Sequence, residues 1–259
     1  MRLRSVLGAA VVVLLPLDCA HAQGSAWRIW AGHESFTFRD VASSKPPVDG
    51  SPVVWRGDGP TLTAGHERSR PFRLHRFEVT ASTDGGFVYD TGVDVTPRPG
   101  GDSATFVAGR YDYLRYLRRH LFVDGLQAAI GVRGLGERRV LKHHYGGDVA
   151  LDETDVTGTI AYIAALRVTR FRRLGLDVEL ADGLTLAHGT QRHRSDVESI
   201  DVSWGAGWRT DVAARADVRL TSRTSIQVSY RREGEGLLFD HRSYTSGRRG
   251  VMVGVIYAR

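Results

Sequence analysis

The feature that most constrains this chain is a long, strict alternation of apolar and polar side chains. From position 200 to position 220 every even residue except Thr210 is apolar, and the odd residues are charged or small. A period of two places the two kinds of side chain on opposite faces of a β-strand. We interpret the segment as one tall strand, because the LTSRTS that follows is typical of a tight turn. Two strands joined by a turn that preserves the phase are the alternative.

Similar alternation recurs along the rest of the chain between segments rich in turn residues, which predicts an all-β fold. Glycine alone contributes 30 residues. Strands are expected near 26–38, 69–82, 86–95, 104–119, 126–137, 156–171, 174–187, 198–220, 225–236 and 247–258. This makes about ten strands, with eight or twelve as alternatives. An even number places both chain termini at the same end of the fold.

The predicted links between strands differ in length. Short links are expected near 83–86, 123–125, 172–175 and 221–224, and long ones near 39–68, 138–155, 188–197 and 237–246. Short turns at one end and long loops at the other are typical of a transmembrane antiparallel up-and-down β-barrel. Segment 111–122 does not alternate cleanly, and a short basic helix is an alternative there.

The N-terminal segment predicts export. Residues 1–22 contain two arginines, an apolar run from 6 to 17 and the tripeptide Ala20-His21-Ala22, which are the three parts of a secretory signal peptide. We expect cleavage between Ala22 and Gln23, which leaves residues 23–259 as one mature domain. Cys19 is the only cysteine and lies within the signal peptide, so the mature domain has no disulfide framework.

The charge balance excludes one class of partner. The formal net charge is +6, but the basic residues are spread over every segment of an exported chain. Nucleic-acid binding uses a clustered basic surface and is therefore not expected.

Alternation alone does not separate a membrane barrel from a secreted β-sandwich, because both have one apolar face. The composition of the polar face distinguishes the membrane barrel from the sandwich. In a small barrel that face points into the lumen, where side chains pack together and their charges must balance. Segments 174–187 and 200–220 carry charges of both signs among small residues. We predict a lumen charge network of Asp177, Glu179, Arg215, Asp217 and Arg219.

The last residues of the chain carry a motif. The ending VGVIYAR resembles the C-terminal strand of bacterial outer-membrane β-barrel proteins, which the barrel-assembly machinery recognises. The residues that match that pattern are Val253, Gly254, Val255 and Tyr257, whereas Arg259 stands where the pattern has a terminal aromatic residue. The resemblance implies a monomeric barrel in the bacterial outer membrane. It also implies contact with outer-membrane lipid and lipopolysaccharide, and recognition by the barrel-assembly machinery.

Residues that could carry chemistry are few. Three His-x-Ser pairs have the spacing that places both side chains on one strand face, namely His33 with Ser35, His193 with Ser195 and His241 with Ser243. Lipid-modifying barrel enzymes that use such a pair complete it with asparagine, which this chain lacks. His33 and Ser35 are therefore only weak catalytic candidates. Asp240-His241 matches only part of the Asp-Asp and Asp-His pairs that omptin-like proteases need.

Metal and cofactor binding have little support in the sequence. His143 and His144 are adjacent in a glycine-rich segment and are weak metal-ligand candidates, because the spacing identifies no further ligands. No cofactor is expected.

These observations predict an integral outer-membrane barrel whose polar lumen is filled by side chains. Its expected role is structural or in surface interaction, with segment 41–68 as the most exposed loop. A narrow solute pore, a secreted periplasmic β-sandwich that binds a ligand and a barrel enzyme acting on envelope lipid are the alternatives, and catalysis is not expected.

Overall fold

A computed structural model describes residues 24–42, 53–70, 72–85, 88–90, 103–117, 126–145, 149–168, 174–194, 199–239 and 242–259. They form eleven strands: β1 (Ser25–Ala42), β2 (Val53–Arg70), β3 (Arg73–Gly85), β4 (Val88–Asp90), β5 (Ser103–Tyr116), β6 (Leu126–Tyr145), β7 (Val149–Val168), β8 (Leu174–Arg194), β9 (Ser199–Arg219), β10 (Thr224–Phe239) and β11 (Arg242–Ala258). Within these residues, no helix is long and apolar enough to cross a membrane.

The sheet closes on itself. Each long strand pairs antiparallel with its neighbours in the order β1-β11-β10-β9-β8-β7-β6-β5-β3-β2, and β1 also pairs with β2. The short β4 pairs with the far end of β2, beyond the stretch of β2 that pairs with β3. The ring therefore contains ten long strands, which confirms the predicted antiparallel barrel. The β-sandwich alternative is wrong, because a sheet closed into a ring leaves no second sheet to pack against.

The strands are strongly inclined. A path that starts at Tyr257 on β11 and steps through directly paired residues around the ring returns to β11 at Thr245. The difference of twelve residues between positions 257 and 245 is the shear of the barrel. For ten strands, this shear corresponds to a tilt of about 40° from the barrel axis. The interior of such a barrel is narrow enough for side chains to fill.

The predicted strand count is right, but the first of the predicted long loops is wrong. Segment 39–68, predicted to be a long loop, contains most of β2. Of the predicted strand 86–95 the structure describes only residues 88–90, which form β4. Residues 57–60 have the sequence Gly-Asp-Gly-Pro, which is typical of a turn. They lie between the stretch of β2 that pairs with β4 and the stretch that pairs with β3. Pro60 is tolerated there because no β3 or β4 residue is paired with it.

The predicted long loops 138–155, 188–197 and 237–246 are mostly strand, since β6 to β11 continue through them. Beyond the bilayer the outward face meets water, so its side chains become polar and the alternation in hydrophobicity weakens. The single tall strand predicted for 200–220 is confirmed as β9. In segment 111–122 the helix alternative is wrong for the part described, because residues 111–116 belong to β5.

The apolar side chains point away from the barrel. Ile160, Tyr162 and Leu184 are 77%, 81% and 64% exposed, and the C-terminal Val253, Val255 and Tyr257 also face outward. Charged side chains fill the inside. Trp30 is also buried, and it donates its indole N–H to Gln227 Oε1 at 2.9 Å. An apolar exterior around a polar interior is the arrangement that a lipid bilayer requires.

Candidate functional site

The centre of the lumen is filled by ion pairs. Within the part of the chain that the structure describes, eight arginines and seven carboxylates form one connected set, the lumen network. Its members are Arg76, Glu78, Arg110, Asp112, Arg133, Glu137, Arg139, Glu179, Arg209, Asp211, Arg215, Arg231, Glu233, Glu235 and Arg248. All but Arg248, which is partly exposed, are buried. Each charge therefore depends on its partners rather than on water.

The half of the network nearer the chain termini is built around two carboxylates. Asp112 accepts hydrogen bonds from Arg76 Nη2 at 2.5 Å and from Arg133 Nε at 2.8 Å. Glu179 accepts from Arg76 Nη2 at 2.6 Å and pairs with Arg215 Nη1 at 2.7 Å. Arg76 lies on β3 and Glu179 on β8, which are not neighbours in the ring, so this pair joins walls on opposite sides of the lumen.

The opposite half repeats this arrangement. Glu137 on β6 accepts hydrogen bonds from Arg139 Nε at 2.5 Å, Arg248 Nη2 at 2.9 Å and Arg209 Nη1 at 3.1 Å. Glu233 on β10 accepts from Arg209 Nη2 at 2.5 Å and from Arg248 Nη2 at 2.6 Å. Every carboxylate named in these two halves has at least two arginine partners, which offsets the cost of burying it.

Two apolar clusters flank the charged layer. The outer cluster lies at the end of the barrel farthest from the termini and consists of Phe36, Phe38, Ala104, Phe106, Leu141, Ala187, Leu237, Phe239 and Tyr244. The second cluster contains Leu74, Leu114, Tyr116, Ala129, Ala161, Ile163, Ala165 and Ala181. The two cavities between network side chains have volumes of about 10 Å³ each. Such a cavity has room for one water molecule at most.

The structure brings together only some of the residues predicted for the lumen. Glu179 and Arg215 form an ion pair, whereas Asp177 pairs with Arg167 Nη2 at 3.1 Å although it lies directly opposite Arg215. Asp217 is half-buried at the mouth of the barrel nearer the chain termini, and Arg219 is exposed there. The place of Arg219 in the charge network stays a prediction. β8 begins at Leu174, which pairs with Val218, so no described β8 residue is paired with Arg219.

This difference predicts the outcome of two double-mutant cycles. Glu179→Ala and Arg215→Ala should show a coupling energy of about 1–3 kcal/mol, because residues in contact are not additive. Asp177→Ala and Arg215→Ala should be less strongly coupled. The measurement is the thermal or urea-induced unfolding of the detergent-solubilised barrel. Equal coupling in both cycles would contradict this pairing.

Sequence reasoning missed most of the lumen network, although a signal was present. Arg76 and Glu78, Arg110 and Asp112, Glu137 and Arg139, and Arg209 and Asp211 are pairs of opposite charges two residues apart. Residues two positions apart on a strand point to the same face. Each of these pairs lies on the face opposite a row of apolar residues. Repetition of this pattern on β3, β5, β6 and β9 marks the inward face of each strand.

The predicted catalytic pair lies on the outside of the barrel. His33 and Ser35 both face outward on β1, and His33 Nε2 lies 3.2 Å from Asp58 Oδ2 on the neighbouring β2. Ser35 Oγ accepts a hydrogen bond from Arg249 Nε at 3.2 Å. The His33 and Asp58 side chains are 62% and 63% exposed, so this cluster is open to its surroundings.

Other predicted residues lie partly or wholly outside the described part. Residues 1–23, with the cleavage site between Ala22 and Gln23, and the pair Asp240-His241 are not described. His143 and His144 belong to β6, but their side chains are not described. Within the described residues, no group of three or more potential ligands could hold a metal ion.

Comparisons with known proteins support the fold. No protein-family model matches the sequence, and no curated protein matches it. The outer membrane protease OmpT from Escherichia coli is similar in structure, with a TM-score of 0.69 and 10% identity over 93% of this chain and 99% of that chain. The translocator domain of the autotransporter NalP from Neisseria meningitidis has a TM-score of only 0.41, with 12% identity over 98% of this chain and 95% of that chain, and carries no argument about the fold.

The closed ring of ten long strands, its apolar exterior and its charged interior define a transmembrane antiparallel β-barrel, the fold of outer-membrane proteins such as OmpT. At 10% identity, the likeness to OmpT concerns the fold alone.

Proposed function

We propose that this protein is a non-conducting outer-membrane barrel with a structural or surface-interaction role. The observation that carries the proposal is the lumen network, which crosses the barrel through pairs such as Arg76 with Glu179 and Arg133 with Asp211. An aqueous channel would need a continuous path past these side chains. The cavities of about 10 Å³ between described network side chains each hold one water molecule at most, which supports a closed lumen.

The part of the barrel available for interaction is its wall beyond the bilayer. The 21 residues of β9 extend about 70 Å along the strand, which at a tilt of about 40° is about 50 Å along the barrel axis. The apolar band of such barrels is about 25 Å tall. Outward apolar rows begin close to the termini, at Leu174, Val218 and Ile226, so the excess height lies on the extracellular side. This wall replaces segment 41–68 as the expected interaction surface.

Planar-bilayer recording tests the closed lumen. The purified barrel should give no steady unit conductance, while a general porin reconstituted in parallel should conduct. Heat-modifiable migration in a detergent gel and flotation with liposomes will show that the silent protein is folded and inserted. A reproducible unit conductance from the wild-type barrel would refute the proposal in favour of the narrow-pore alternative.

A second candidate function is ester hydrolysis of an envelope lipid, and one observation favours it. Asp58, His33 and Ser35 form one outward-facing cluster in which the carboxylate contacts the imidazole. A nucleophile, a base and an acid that orients the base are the parts of a hydrolytic triad, and their hydrogen bonds are often loose without substrate. In this triad Asp58 would take the place of the asparagine that completes the site in lipid-modifying barrel enzymes and that this chain lacks.

Replacement of the nucleophile tests this second candidate. If it is right, wild-type barrel in mixed micelles will release fatty acid from a phospholipid or from lipopolysaccharide. Ser35→Ala should then lower the rate by about a thousandfold or more. Thr37→Ala is the matched control, because Thr37 is the next outward-facing residue on β1. Release that is absent in the wild type, or equal in both variants, would rule out this candidate.

A further inference from the structure

Two arginines lie side by side on the outer surface of the barrel. Arg232 on β10 and Arg249 on β11 are directly paired across the two strands, and both side chains face outward and are exposed. We call them the outer arginine pair. Like charges directly opposite each other on one sheet face destabilise the sheet. An arrangement of this kind needs a compensating interaction.

The protein itself supplies no such compensation in the part that is described. Neither arginine has a carboxylate within ion-pair distance among the described residues, and the one hydrogen bond of Arg249 is donated to Ser35 Oγ. In the lumen network, by contrast with the outer arginine pair, every arginine has a carboxylate partner. The outer arginine pair therefore presents two uncompensated positive charges to an external anion.

The height of the pair on the barrel indicates where that anion comes from. On β11 the outward row runs Tyr257, Val255, Val253, Val251 and then Arg249, and on β10 it runs Ile226, Val228, Tyr230 and then Arg232. The nine residues from Tyr257 to Arg249 cover about 26 Å of strand, or about 20 Å along the barrel axis. The apolar band thus ends at the arginines, on the extracellular side. Lipid phosphates lie at this level of a bilayer.

The surface around the pair has room for a headgroup. An open cleft of about 750 Å³ is lined by Arg232, Arg249 and Arg56, with Gly234 and Gly247 among its residues. Asp58, which also lines it, pairs with His33. Gly234 lies directly opposite Gly247, so no side chain covers the wall between the arginines and the outer rim at that point. Arg56, exposed on β2, adds a third positive charge without a described carboxylate partner.

We propose that the outer arginine pair, with Arg56, binds the phosphate groups of a phosphorylated glycolipid in the outer leaflet, the chemistry of the lipopolysaccharide headgroup. Two guanidinium groups with several donors each match two phosphate groups, and charge-assisted hydrogen bonds of this kind are strong and geometrically specific. The acyl chains of the same lipid would lie against the valine rows of β10 and β11. This binding is independent of whether the lumen conducts.

The test uses the purified barrel in a neutral detergent with diphosphoryl lipid A as the probe. Titration followed by native mass spectrometry should show binding to the wild type and about tenfold or greater weakening in the double variant Arg232→Gln/Arg249→Gln. Without lipid the double variant should be as heat-stable as the wild type or slightly more stable, since the repulsion is removed. A purely structural role predicts the opposite, namely lower stability without lipid.

Controls separate the site from general attraction. Arg138→Gln is the matched variant, because Arg138 is exposed on β6 between Val107 and Val156 and has no described arginine opposite it. It should bind the probe like the wild type. Gly234→Leu should weaken binding without removing charge, since a Cβ at Gly234 meets no atom within 4 Å.

Four results would overturn the proposal. The first is equal weakening in Arg138→Gln, which would indicate nonspecific charge attraction. The second is a lipid-free loss of stability in the double variant. The third is equal binding of lipid A from which the phosphates have been removed. If inorganic phosphate competes at the concentration at which lipid A binds, the site recognises free anion rather than lipid, and the proposal fails.

Discussion

Replacing Asp112 with alanine is expected to lower the free energy of unfolding of the detergent-solubilised barrel by about 3–5 kcal/mol. Asp112 is fully buried and contacts three arginines, Arg76, Arg110 and Arg133. Removing the carboxylate leaves these positive charges close together in a site with little water. Their repulsion and the loss of three charge-assisted contacts act in the same direction.

The matched control is Asp58→Ala. Asp58 is also an aspartate with a cationic partner, but its side chain is 63% exposed on the outer surface. Its removal should cost less than about 1 kcal/mol, because water replaces the lost contact. Unfolding can be followed by heat-modifiable migration or by circular dichroism in urea. Similar losses for the two variants would mean that the lumen is wet and that the network contributes little to stability.

Truncation of Phe38 to alanine should be similarly costly, by about 3–5 kcal/mol. Phe38 is 3% exposed in the outer cluster, with its ring centroid 4.6 Å from that of Tyr244, which stacks on Phe239 at 5.4 Å. The substitution removes aromatic contacts and leaves a cavity that a rigid strand wall cannot close. The expected result is a lower unfolding midpoint with unchanged secondary structure at room temperature.

Leu238→Ala is the control for this second prediction. Leu238 is adjacent to Phe239 but points outward and is 70% exposed, so it contributes little to the outer cluster. Its truncation should change stability by less than about 0.5 kcal/mol. A small effect of Phe38→Ala would show that the outer end of the barrel is loosely packed, and it would also weaken the case for a closed lumen.

Several parts of the fold could be predicted from the sequence because lipid imposes a pattern on it. The alternation in β8 and β9 places Leu176, Val178, Ala214 and Ala216 on the lipid side and Asp177, Glu179, Ala213 and Arg215 on the lumen side. An outward polar residue in the bilayer is costly, so the pattern is nearly strict. Asp182 and Thr210 are exceptions, and the Thr210 hydroxyl donates a hydrogen bond to the Asp182 carboxylate. The C-terminal strand and the even strand count follow from the same constraint.

Where that constraint is absent, the sequence was misleading. β2 has threonine, glycine and glutamate on its inward face and Pro60, Leu62, Ala64 and His66 on its outward face, so its contrast in hydrophobicity is weak. Its strand conformation depends on pairing with β1 along nearly its whole length. Pairing between distant segments is a tertiary interaction that local periodicity does not reveal.

The sequence by itself predicted the class of this protein, because the alternating strands carry charges of both signs among small residues on the polar face and the last strand resembles that of outer-membrane barrels. It also determined which side chains point into the lumen in the strands that alternate clearly. Only the tertiary structure decided how those side chains pair. Arg76 meets Glu179, and Glu137 meets Arg248, across the lumen. These distances follow from the shear and the closure of the ring, whereas periodicity specifies a face and not a partner.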